Sequence, residues 1–129
     1  MDALLTILIP LLIQVESSGN PNAIGDGGKA VGILQIHPVV VEDVNRIYQT
    51  KYTEKDRLNK AKSMSICRLY LKYYGTRYQL KTGKKADMEA LARIWNGGPD
   101  GWKKQSTVKY WNKVKKAKEK INEPEAEEN

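Results

Sequence analysis

The sequence predicts a single, mostly α-helical domain, and three observations carry that prediction. A chain of 129 residues and 14.6 kDa is one domain's worth of sequence, and 40% hydrophobic residues suffice for one core. Apolar residues recur at helical spacing in successive segments from the first residues to Ala117. No segment alternates apolar and polar residues over the length of a strand.

The elements follow in chain order. Ala3 to Val15 is an apolar run in which Leu4, Leu5, Leu8, Leu11, Leu12 and Val15 keep helical spacing, and Ile7, Ile9 and Ile13 widen the stripe. It has the length of a signal-peptide core. However, Asp2 stands where a positive charge belongs and no small-x-small cleavage site follows, so the run reads as a central helix of the fold. Pro10 predicts a kink or an opened second half. Residues 19–32, GNPNAIGDGGKAVG, are dense in turn formers and read as a loop. Pro38 suits the first position of a second helix through Tyr48. Thr53 with Asp56 predicts the start of a third, with Leu58, Ala61, Met64, Ile66, Leu69, Tyr70 and Tyr73 on its apolar face and Gly75 as its stop. A basic loop over 76–86 would follow. Asp87 caps a fourth helix ending at Gly97-Gly98-Pro99, and Thr107 caps a fifth with Val108, Trp111, Val114 and Ala117 on one side. The domain is placed at 1–121, followed by an acidic tail over 122–129 that has no apolar face and reads as disordered.

Composition excludes several function classes. Cys67 and His37 are each the sole residue of their type, which rules out a disulfide framework and a Cys/His zinc site. GDGGKA lacks the GK[ST] ending and the preceding strand of a phosphate loop. The net charge of +7 is uneven: residues 1–50 carry two Lys and Arg against five Asp and Glu, whereas residues 51–120 carry 20 against six. Such a basic body meets polyanions, whether nucleic acid, anionic lipid or an anionic cell wall.

The chemistry centres on Glu16, which follows the most apolar helix of the chain. Burial there would disfavour the charged carboxylate and raise its pKa. A carboxylic acid still protonated near neutrality is what cleavage of a glycosidic bond requires, because the leaving oxygen must receive a proton. On position alone, an exposed helix-end Glu is the simpler expectation.

Three motifs in order change that. Residues 16–36, ESSGNPNAIGDGGKAVGILQI, contain a Glu-Ser pair, Asn20-Pro21, a Gly-rich loop and the element Gly32-Ile33-Leu34-Gln35-Ile36. ARIWNGGP over 92–99 and TVKYWNKV over 107–114 follow. Together they resemble the lytic transglycosylase (SLT) family of the lysozyme-like superfamily, related to goose-type lysozyme, although Trp95 and Gly97 replace that family's Tyr and Ala. The resemblance implies a lysozyme-like helical domain with the Gly-rich loop beside the active-site cleft. It also implies a peptidoglycan-cleaving glycosidase without metal or cofactor, acting on the β-1,4 bond between N-acetylmuramic acid and N-acetylglucosamine.

The same resemblance implies residue roles. Glu16 is the acid and then the base, and Tyr110 orients it. Ser17, Gln35, Asn96, Gly32 and Trp95 are substrate-binding candidates, with Tyr48 and Trp102 as further stacking candidates. Core packing competes for Trp95, backbone bonding for Ser17 and a helix cap for Asn96. His37 reads as a helix-entry or surface residue. Lytic transglycosylases need one Glu, because the muramyl 6-hydroxyl closes on its own C1 and leaves a 1,6-anhydro end. Asp26 sits where goose-type lysozymes hold an Asp that positions water, which makes hydrolysis the alternative; an Asp between glycines is also an ordinary turn residue. A noncatalytic basic wall- or nucleic-acid-binding module is a third reading. The expected partner is the peptidoglycan glycan strand, with no nucleic acid, no stable membrane insertion and a monomeric state. The site of action is the bacterial cell wall or periplasm.

Overall fold

The structure, a computed structural model, describes residues 1–122. The proposed acidic tail therefore lies outside the described residues except for Asn122. Five helices, α1 (Asp2–Ser17), α2 (Pro38–Tyr48), α3 (Lys60–Thr82), α4 (Met88–Gly97) and α5 (Val108–Asn122), surround one core. Between α1 and α2 lies a two-stranded antiparallel hairpin, β1 (Ile24–Gly25) and β2 (Ala30–Val31), which pairs Ile24 with Val31 and Gly25 with Ala30.

The apolar run forms α1, with Leu5, Leu8, Ile9, Leu11 and Leu12 buried. It packs against α3, α4 and α5, and α2 packs against α3. Pro10 does not break α1, which is one helix throughout; the ring sits on an exposed position, where a carbonyl without its helical donor can meet water. The helix ends at Ser18, whose left-handed backbone turns the chain into the loop.

Three boundaries differ from the sequence reading. Thr53 and Asp56 do form a reciprocal cap, but it opens a short 3-10 turn over Glu54–Leu58; α3 starts later, on an Asn59 cap that accepts from the Lys62 N–H. Gly75 is not a stop, since α3 runs on to Gly83 and takes in much of the expected basic loop. It lies in the core, where an added Cβ would come within 3.0 Å of Leu91, so its small size serves helix packing. The buried stripe of α3 is Ser63, Ile66, Cys67, Tyr70, Leu71, Tyr74 and Gly75, and Leu58 and Tyr73 are exposed instead. The face is rotated because two small residues, Ser63 and Gly75, occupy core positions that an apolar count overlooks. Thr107 is buried just before α5, but its hydroxyl donates to the Gly101 carbonyl (2.7 Å) and accepts from Arg93 (2.8 Å), bracing α4 to the turn that follows it.

Candidate active site

Glu16 ends up at the wall of a cavity of about 500 Å³, a size that takes a small ligand or a few sugars. Each side of the cleft comes from a different element. The last turn of α1 brings Glu16, and the loop brings Asp26, Gln35, Ile36 and His37. From α2 come Val39, Val40 and Asp43, from α3 Tyr70, and from the end of α4 Trp95, Asn96, Gly98 and Pro99.

Glu16 is pushed up to about 7 from an ordinary 4.5, first by burial. The Tyr110 hydroxyl and the Trp95 indole pull it down, the Asp26 carboxylate raises it, and Lys113 lowers it. The helix works in the same direction as burial: α1 carries no basic residue in its last turn, and a helix C-terminus disfavours negative charge. The Tyr110 hydroxyl donates to Glu16 Oε2 at 2.9 Å, joining α5 to the end of α1. Tyr110 itself is buried. Because that bond favours the ionised acid, Tyr110→Phe is expected to raise the Glu16 titration midpoint. A carboxyl-carbon NMR titration reads this directly; an unchanged or lower midpoint would remove Tyr110 from the electrostatics of the acid.

The loop is held in a shape that sequence reading did not foresee. Gln35 has a left-handed backbone (φ 51°), and its amide nitrogen donates to the Ala23 carbonyl (3.0 Å) and the Gly32 carbonyl (3.1 Å). Both amide hydrogens are thereby used in the loop, and the Gln35 oxygen lies against Gly25, where an added Cβ would come within 2.4 Å of it. Asp26 also has a positive φ (50°), and its Oδ2 lies 2.8 Å from His37 Nε2. His37 enters α2 just before Pro38, so the hairpin and the helix start are tied across the cleft wall.

Not every candidate reaches the cleft. Asn96 and Trp95 line it; Ser17 and Gly32 do not. The Ser17 hydroxyl donates to the Ile33 carbonyl (2.8 Å) and accepts from the Gly19 N–H, so it fastens α1 to the loop. Gly32 instead faces the backbone of Arg57. Tyr48 donates to the Leu69 carbonyl away from the cavity, and Trp102 packs edge-on against Tyr78 at 5.1 Å. Two residues went unmarked in the sequence. Buried Arg57 donates to the Glu54, Lys29 and Ile36 carbonyls and so clamps the hairpin to the 3-10 turn. Asp43 is the other; its one visible signal is a charge set among the valines of α2, with Arg46 three residues on.

The family described as Transglycosylase SLT domain matches residues 2–123. The chain is similar to curated proteins named Lysozyme. It is 49% identical over 41 residues to that of Magallana gigas, covering 32% of this chain and 30% of the relative. It is 41% identical over 56 residues to that of Meretrix lusoria, covering 43% and 46%. The matched stretches thus span less than half of each relative's length. A solved chain from the crystal structure of Aeromonas hydrophila PliI in complex with Meretrix lusoria lysozyme superposes with a TM-score of 0.68 at 27% identity, covering 83% of this chain and 84% of that one. With a family match over nearly its whole length, the chain belongs to the transglycosylase SLT domain family.

Proposed function

We propose that the protein cleaves the β-1,4 bond between N-acetylmuramic acid and N-acetylglucosamine in bacterial peptidoglycan, by transglycosylation. The observation that carries this reading is Glu16, an acid held up to about 7 at the wall of a sugar-sized cleft and bonded by Tyr110. Protonated Glu16 gives its proton to the glycosidic oxygen as the bond to C1 breaks, so the N-acetylglucosamine end leaves as an alcohol. The resulting carboxylate then takes the proton from the muramyl 6-hydroxyl, whose oxygen bonds to C1 and closes the anhydro ring. Glu16 is returned in its protonated form, and neither water nor a second carboxylate is consumed. Gln35 and Asn96 meet polar substituents of the sugars, and Trp95 gives an aromatic wall. The basic stretch over residues 51–120 suits an anionic wall. Among the described residues no helix is long and apolar enough to cross a membrane.

Hydrolysis is the second reading, and Asp26 favours it. Its carboxylate lines the same cavity, acts electrostatically on Glu16, and is fastened by His37. In this reading Asp26 positions a water for attack on C1, as a second carboxylate does in inverting glycosidases. Digestion of purified peptidoglycan with mass spectrometry of the fragments separates the two. Anhydro ends are expected, and reducing ends, heavier by one water, would assign hydrolysis. Wall binding without any released fragment would leave a noncatalytic module.

A further inference from the structure

Asp43 is a third acidic group in the cleft, after Glu16 and Asp26, and neither reaction scheme above uses it. It lines the cavity from α2 with only 18% of its side chain exposed. A carboxylate so far out of water needs partners, and Asp43 has one on each oxygen. Arg46, on the same face of α2, pairs with Oδ1, and the Tyr74 hydroxyl of α3 donates to Oδ2. Burial and the bond to Asp43 push the Tyr74 phenol up to about 12, so it stays a donor through the physiological range. Each carboxylate oxygen accepts about two bonds, so half of the capacity of Asp43 is left for the cavity.

The wall between Glu16 and Asp43 is aromatic. Trp95, whose indole acts on Glu16, meets Tyr70 edge-on at 5.7 Å, and Tyr70 meets Tyr74 at 4.7 Å. The row thus leads from the acid to the phenol that holds Asp43. The charges narrow the ligand. Arg46 already balances Asp43, so the pair carries little net charge to draw in either a cation or an anion. A neutral group rich in hydroxyl donors and carrying an apolar C–H face fits both features, and that is a pyranose.

We propose that Asp43 is the hydroxyl-binding acceptor of a distal subsite, holding a sugar of the strand beyond the pair that flanks the cleaved bond. The proposal rests on the glycan reading above and adds a strand-length preference to it.

The test is calorimetric binding of β-1,4-linked N-acetylglucosamine tetramer and hexamer to the whole protein, which does not depend on turnover. The unsubstituted protein is expected to bind the hexamer more tightly than the tetramer. In Asp43→Asn that gain is lost, with hexamer affinity falling by about tenfold, as for a lost bond to a charged acceptor. Tyr74→Phe keeps the carboxylate and removes only the tie between α2 and α3, so it should retain most of the length preference. Equal length preference in Asp43→Asn and the unsubstituted protein would overturn the proposal, as would failure of the unsubstituted protein to bind either oligosaccharide. So would a length preference that disappears equally in Tyr74→Phe and Asp43→Asn with matching losses of melting temperature, which marks a purely structural tie. Binding with the expected length dependence but no fragments from peptidoglycan would leave the subsite standing and remove the cleavage reading.

Discussion

Glu16→Gln is expected to abolish release of wall fragments while unfolding at a higher temperature than the unsubstituted protein above neutral pH. The amide has no proton to give, and loss of a positioned general acid removes a factor of about 10²–10⁴ or more. The gain in stability follows from the same burial that makes the acid. In the unfolded chain Glu16 ionises near 4.5, and in the folded protein near 7. The folded state therefore holds its proton more tightly, so the stabilising effect of the protonated group is complete below about 4.5 and is lost as pH rises through 7. Above that range the ionised group costs about 3 kcal/mol, which the amide avoids. Melting curves at pH 5 and pH 8 check the sign: the two proteins should differ little at the first and clearly at the second. A Gln variant that still clears the wall would move the acid elsewhere.

Gly32→Ala is expected to unfold the loop or the whole domain, at a cost of at least about 3 kcal/mol. An added Cβ would lie 1.9 Å from the Arg57 carbonyl oxygen, which is backbone and cannot swing away, and φ is +84°. Gly28 is the matched control. Its φ is +96° but an added Cβ meets nothing within 4 Å, so Gly28→Ala should show only the backbone cost of about 1 kcal/mol. Denaturant unfolding of both variants isolates the contact from the conformation; equal losses would mean that Arg57 yields.

Much of the architecture could be read from the residues, because helices with one apolar side and capping residues such as Asp87 announce themselves locally. Glu16, the Gly-rich loop and Tyr110 were legible for a different reason, as types in a fixed order that resemble a family. What escaped has a common physical cause. Gly75 stops a helix or packs one, depending on whether Leu91 lies against it, and nothing in its neighbours along the chain says which. Arg57 gains its meaning from carbonyls up to 28 residues away. Asp43 looks like any solvated helix charge until Tyr74 is brought to it from α3. Tyr48 and Trp102 have the chemistry for stacking on sugars but lie away from the cavity, since spacing along a helix does not tell one side of a cleft from another.

The bond between Glu16 and Tyr110 spans 94 positions of the chain. A polypeptide that stops short of α5 holds the acid without the phenol that meets it, so the pair exists only once the two ends of the domain are both in place.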